Sequence, residues 1–362
     1  MVSFGIEEEF MFLDPVELRP VGVSAALRTE IALDPRLAPY TNREFLASQI
    51  EYSSPIFDSL DAARVELTAF RAALATAAEE HRVIAASSGT PFVTAGPAEI
   101  EDDARYRRFG TEFGAIINDH QINSIHVHVG IPSRDAGVAA LNGIRRWLPT
   151  LLALSGNSPF WHAADTGFAS WRNIHLRRWS TNGCPPHFVD AADYDRRSST
   201  LVGIAGTLDL ATIAWSARLS DKYPTLEVRI GDAQLDADSA VLIAALCRAL
   251  VVTAMAAADA GSPAGDIPPE MVDAAMWHAG RNGLAAELVD IEARQLVPAR
   301  VAVEAMLAWV TPALEADGDL DWIRSVLDRI WRDGTGAQRQ RTAFEDGGPR
   351  QLSRMLSRAL VE

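Results

Sequence analysis

The chain has 362 residues and is 48% hydrophobic, enough for a substantial core in one large domain or two medium ones. Its net charge of −15 argues against nucleic acid or an anionic membrane as the main partner. Two cysteines, Cys184 and Cys247, lack metal-ligand spacing and point to a reducing cytoplasm without a disulfide framework. The three acids of the first ten residues, with no basic start, argue against a secretory leader. The alanine-rich stretch 237–260 is interrupted by Asp238, Arg248 and Asp259, which argues against a membrane span.

The first ordered stretch is Phe4–Leu13. In a strand, side chains alternate between faces, so Glu7 and Glu9 share a face with Gly5, Met11 and Leu13, while Glu8 lies among Phe4, Ile6, Phe10 and Phe12. Both faces are largely apolar, and two acids directed into such surroundings require a compensating charge. After a turn-rich passage over 14–42, a second alternating stretch, 48–53, carries Gln49, Glu51 and Ser53 on one side. Ser59 is a predicted N-cap for a helix running to about Arg82, followed by a short strand over 83–87 and a helix over 103–119.

A third alternating stretch, Ile125–Gly130, places His126 and His128 opposite its valines. A helix is predicted over 135–155, and residues 156–200 read as a long polar and aromatic loop of the kind that usually carries function. The fourth stretch, 224–232, sets Thr225, Glu227 and Arg229 on one face. Beyond 236 the pattern is helical, over about 237–260, 269–288, 298–316, 319–332 and 349–361. Gly334-Thr335-Gly336 reads as a flexible loop that lacks the lysine of a phosphate-binding loop.

Taken singly, each acidic pair is a solvated face or an ion pair, and the two histidines read as readily as satisfied core residues as they do as metal ligands. Together they repeat one design four times: an apolar side, and a side bearing metal- or phosphate-competent groups. In a single sheet the carboxylates would repel unless about two or three divalent cations reversed the sign. Thiol-free, oxygen-rich ligands favour Mg²⁺ or Mn²⁺, and Arg229 suits a phosphate oxygen. Such a site fits ATP phosphoryl transfer.

These residues together resemble the carboxylate–amine ligase family, the second type of glutamate–cysteine ligase. The similarity runs through Gly5–Phe10, Glu44–Glu51 with Ser54-Pro55, Tyr106, His126–Gly130, Ala153–Phe160, Asp165–Ser170, Trp215 with Arg218 and Ser220, Thr225–Arg229 and Ala279–Leu284, nearly the whole chain. The resemblance implies an α+β, glutamine-synthetase-like catalytic domain spanning 1–362: a curved antiparallel sheet with helices on its convex face. It implies ATP with Mg²⁺ or Mn²⁺, and a glutamate-like carboxylic acid activated as an acyl phosphate before attack by an amine.

Carried over by position, Glu7, Glu9, Glu51, His126 or His128, and Glu227 hold the metals. Arg229 stabilises the transferred phosphoryl group, Arg218 joins it at the nucleotide, and Arg172, Asn157 and Trp171 face the acid substrate. Glu8 is expected not to be a ligand. A homodimer using the helices after 236 is also implied. Three departures stand out: Pro91 directly after Gly89-Thr90, where the family has a histidine and where the substrate pocket is expected; Ser124-Ile125 before His126, where a glycine is usual; and Leu219 in place of a proline. Competing readings are a phosphotransferase of the guanidino-kinase type and a non-catalytic nucleotide- or metal-binding protein.

Overall fold

Phe4–Leu13 forms β1, which has antiparallel partners on both sides. The computed structural model describes residues 2–94 and 97–362, with only the backbone for Arg105. The strands β2 (Thr41–Arg43), β3 (Gln49–Ser53), β4 (Ile84–Ala86) and β5 (Ile125–Gly130) belong to the same sheet as β1. A small hairpin, β6 (Phe160–Trp161) with β7 (Ala164–Asp165), lies apart from it. β8 (Ala217–Leu219) and β9 (Thr225–Val228) complete the sheet in the order β2-β3-β1-β5-β9-β8, with β4 beside the end of β1. A second hairpin joins β10 (Glu287–Asp290) to β11 (Gln295–Pro298).

The even-numbered side of β1 packs under helices. Phe10 and Tyr52 meet Phe70 of the helix Leu60–Glu80, Tyr52 stacking on it at 4.0 Å between ring centres. Ser59 caps that helix, accepting from the Ala62 N–H. Each fully buried side chain of this layer contributes roughly 2–3 kcal/mol. The helix Ala237–Asp259 crosses the same face beside Arg134–Ile144 and is long and apolar enough to span a membrane by composition. Its most apolar window is 72% buried inside the protein, which makes it the central core helix.

Glu8 lies in this apolar layer and is compensated. Arg71, itself fully buried, donates to Glu8 through Nη2 (2.5 Å) and Nε (3.2 Å) and to the carbonyls of Gln234 and Leu235. The pair ties β1 to the segment leading into the core helix.

Several elements differ from the sequence expectation. The helix predicted over 135–155 is two helices, Arg134–Ile144 and Leu148–Ser155, joined by a 3-10 turn. Pro149 lacks the N–H that a continuous helix would need and is accommodated in the first turn of the second. The predicted loop 156–200 contains β6, β7 and the helix Trp171–Leu176, and the helix Ala191–Gly203 starts within it at the Asp190 cap. The helix predicted to reach 288 ends at Asn282, where Gly283 takes φ +55°. The final helix starts at Gly336 and breaks at Gly347-Gly348 before Pro349. A Cβ on Gly336 would sit 2.1 Å from Asn157 Oδ1, so the Gly334-Thr335-Gly336 turn is a close-packed cap built by Thr335 and Gln338.

Removing one partner of the Arg71–Glu8 pair strands a charge in the core. Glu8→Ala is expected to cost about 3–5 kcal/mol in denaturant unfolding, and the double variant Glu8→Leu/Arg71→Met to recover most of that loss.

Candidate active site

The uncovered face of the sheet lines a cavity of about 570 Å³. Strand register assembles its chemistry. Glu9 of β1 lies opposite Glu51 of β3, and Glu7 lies opposite His126 of β5. His128 lies opposite Glu227 of β9, which in turn faces Arg218 of β8. Each expected ligand therefore has another as its cross-strand neighbour.

Two groups of donors result, each with its ligand atoms within 4.8 Å of one another: Glu7, His126 and Glu227, and Glu9, Glu44 and Glu51. In the first, His126 Nδ1 is 3.2 Å from Glu7 Oε2 and 3.9 Å from Glu227 Oε1. His128 Nε2 is 3.4 Å from Glu7 Oε1, while its Nδ1 is 2.9 Å from Thr225 Oγ1. Arg218 grips Glu227 with Nε at 2.8 Å and Nη2 at 3.3 Å, and Arg229 donates to the same carboxylate through Nη1.

The electrostatics of the two groups are opposite. Burial would raise Glu227, but Arg229, Arg218 and both imidazoles outweigh it and hold the carboxyl well below the usual range. Burial also opposes the ionised form of Glu7, which hydrogen bonds from His126 and His128 bring well below its ordinary value. His126 is lowered by burial and then by Arg229. His128, despite its burial, is raised by Glu7 and Glu227.

In the second group, Glu44 is pushed from 4.5 up to about 8, first by burial and then by the charge of Glu9. Glu51 is raised well above its ordinary value by burial and by Glu7, Glu44 and Glu9. Ionised carboxylates at such spacing repel by about 3 kcal/mol per pair at an effective dielectric near 20. These oxygen donors fit hard divalent cations, which remove that repulsion, and the imidazole of the first group is compatible with Mg²⁺ or Mn²⁺.

Glu7, Glu9, Glu51, His126, His128, Arg172, Arg218, Glu227 and Arg229 all line the cavity. Neither Asn157 nor Trp171 is found among the described residues lining it. The Asn157 side chain donates to the carbonyls of Ser87 and Ala233 and accepts from Gln340, so all its groups are used in bracing the fold. Trp171 packs its ring against Phe168 and His175. Arg172 directs its guanidinium to the carbonyls of Arg229 (3.1 Å) and Ile230 (3.2 Å), which fixes the end of β9, and its buried Nε has no partner. Gly89, Thr90 and Pro91 also lie outside the described lining; the Thr90 hydroxyl bonds to the Phe160 carbonyl.

Two contributors escape a reading by strand alternation. Glu44 sits between β2 and β3, in a turn that has no periodicity, although it opens one of the family-like motifs. Ser124 donates to Glu9 from its N–H (2.7 Å) and hydroxyl (2.8 Å), and its Oγ is 2.9 Å from His126 Nε2. The departure from glycine at this position therefore supplies a bridge between the two donor groups.

The sequence profile of glutamate–cysteine ligase family 2 matches residues 3–355. The chain belongs to that family. A Saccharopolyspora erythraea protein provisionally named glutamate–cysteine ligase 2-2 is 38% identical over 360 residues, covering 99% of this chain and 92% of the relative. A Frankia alni protein with the same provisional name is 38% identical over 361 residues, covering 96% and 93%. Among solved structures, the Francisella tularensis glutamate–cysteine ligase in complex with AMP superposes with a TM-score of 0.66 at 13% identity, covering 99% of this chain and 88% of that one. At that identity the likeness concerns the fold: an α+β architecture with an antiparallel sheet backed by helices. As a member of glutamate–cysteine ligase family 2, the chain is a glutamate–cysteine-ligase-like, ATP-dependent carboxylate–amine ligase.

The Glu44 shift fixes a pH dependence. Between 4.5 and about 8 the folded chain keeps a proton that the unfolded chain has released, so this group's contribution to stability falls as pH rises. The melting temperature of Glu44→Gln relative to wild type, both metal-free, is expected to increase steadily across that window, and saturating Mn²⁺ to narrow the gap by stabilising the wild type.

Proposed function

We propose that this ligase activates the side-chain carboxylate of glutamate, or of a closely similar acid, and joins it to an amine, working as a single catalytic unit over the whole chain. The observation that carries the reading is the convergence of two carboxylate-rich donor groups with Arg229 in one cavity. Glu7, His126 and Glu227 would hold one divalent cation, and Glu9, Glu44 and Glu51 another, with His128 in reserve beside Glu7. Mg²⁺ or Mn²⁺ bound there supplies charge neutralisation for the ATP phosphates.

The chain's own groups support the remaining roles. Glu227 is kept ionised by Arg218 and Arg229, so it is a ready ligand at neutral pH. Arg229 still has donors beyond its bond to Glu227 and is suited to the γ-phosphoryl group as charge spreads over its equatorial oxygens. The acid's carboxylate oxygen displaces ADP from that phosphorus. The amine nitrogen then attacks the acyl carbon, inorganic phosphate leaves and the amine loses a proton. Arg172 lines the cavity and gives the carbonyls of Arg229 and Ile230 only two of its five N–H groups, which suits it to the acid substrate's carboxylate. A cytoplasmic location accords with two buried, free cysteines. A homodimer is the proposed assembly.

With Mn²⁺ or Mg²⁺, wild type is expected to release ADP and phosphate only when acid and amine are both supplied. A stable phosphorylated product formed without amine would instead favour the phosphotransferase. Glu227→Gln and Arg229→Lys, each shown to be folded by circular dichroism, are expected to lower ADP release by about 10²–10³-fold, and Glu227→Gln also to lower the melting temperature because Arg218 loses its buried counter-charge. Turnover by Glu227→Gln at the wild-type rate would remove the site assignment.

A further inference from the structure

Of the chain's 33 basic residues, Lys222 is the single lysine; the others are arginine. It stands at the tip of the β8–β9 hairpin, five residues before Glu227, and lines the catalytic cavity. The hairpin tip is held in shape without it. Ser220 Oγ accepts from the backbone N–H groups of Lys222 and Tyr223, both at 3.3 Å, and Thr225 N donates to the Tyr223 carbonyl at 2.8 Å. The side chain is exposed, and its ammonium makes no ion pair or hydrogen bond among the described residues. The neighbouring arginines are each anchored to protein groups: Arg218 on Glu227 and the carbonyls of Ala211 and Ile213, Arg229 on Glu227 through Nη1, and Arg172 on the carbonyls of Arg229 and Ile230.

Charge is distributed unevenly along the cavity. On β8, β9 and their hairpin, three cations (Arg218, Lys222, Arg229) face two carboxylates (Asp221, Glu227). On β2, β3 and their turn, one cation (Arg43) faces two carboxylates (Glu44, Glu51). These two regions are opposite edges of the sheet. At the first edge the positive charge that a triphosphate needs is supplied by the chain itself, whereas at the second it would come from the divalent cation held by Glu9, Glu44 and Glu51. At the first edge the cation with no protein partner among the described residues is Lys222. A compact ammonium on a flexible stem suits it to follow phosphate oxygens as a point charge, without the fixed geometry of a guanidinium fork.

We propose that Lys222 is a nucleotide contact: its ammonium binds phosphate oxygens of ATP at the β8–β9 edge and thereby sets the direction in which the triphosphate lies across the sheet. The assignment rests on the ATP-dependent ligase reading. Its contribution is to nucleotide binding and positioning; the chemical step belongs to Arg229 and the carboxylate groups.

Because the lysine is unique, it can be probed directly. Wild type is treated with pyridoxal 5′-phosphate and borohydride, and modification of the Lys222 peptide is read by mass spectrometry. Saturating ATP with Mg²⁺ is expected to suppress the label, and glutamate alone to leave it unchanged. In kinetics, Lys222→Ala is expected to raise KM for ATP about fivefold to tenfold. KM for the acid and kcat are expected to stay near wild type, the effect to shrink with added salt, and Lys222→Arg to restore part of the loss. Labelling that is indifferent to ATP in a wild type that binds ATP by calorimetry, or a wild-type KM for ATP in Lys222→Ala, would overturn the assignment. Failure of wild type to bind ATP at all would overturn the ligase reading itself, and this inference with it.

Discussion

Repulsion among carboxylates brought to one face of a sheet is the constraint around which this molecule is built. Glu7, Glu9, Glu44, Glu51 and Glu227 could not be held together by their own interactions. What holds them is the other side of the same strands, where Phe4, Ile6, Phe10, Phe12, Ile50 and Tyr52 are buried under the helices. The apolar layer provides the free energy, and the polar layer uses it to maintain a charge density that isolated groups in water would disperse.

The repulsion is resolved differently in the two donor groups. Around Glu227 the protein supplies its own compensation, with two guanidinium groups and two imidazoles. Around Glu44 and Glu51 it does not, and burial together with the neighbouring carboxylates pushes both carboxyls above their ordinary range. One half thus carries its own counter-charges, while the other has no comparable set among the described residues. Ser124 joins them, because Glu9 and His126 both reach its hydroxyl.

Most of the candidate site follows from alternation: β3, β5 and β9 carry a two-residue period that separates polar groups from core, and β1 sets Glu7 and Glu9 on one side although both of its faces are largely apolar. The same period correctly sent Glu8 to the opposite face. Glu44 and Ser124 lie at strand ends, where no period exists to read. Asn157 and Trp171 belong to a polar stretch whose groups are used in the fold: the Asn157 amide connects Ser87, Ala233 and Gln340, segments far apart in the chain. The helix Ala191–Gly203 buries only Tyr194 and Ser198 and so has no apolar stripe to reveal it. β8 and the β10–β11 hairpin are too short for their patterns to stand out from loop.

Pairing Glu7 with His126, Glu9 with Glu51 and His128 with Glu227 has a consequence for error control during folding. Sliding β1 past its neighbours by a single residue would turn both acids toward the phenylalanine layer and expel the aromatic side chains in their place. Misalignment of these acids and imidazoles and loss of the hydrophobic interior are therefore the same event. A chain that has packed its core has, by that act, already aimed its reactive groups.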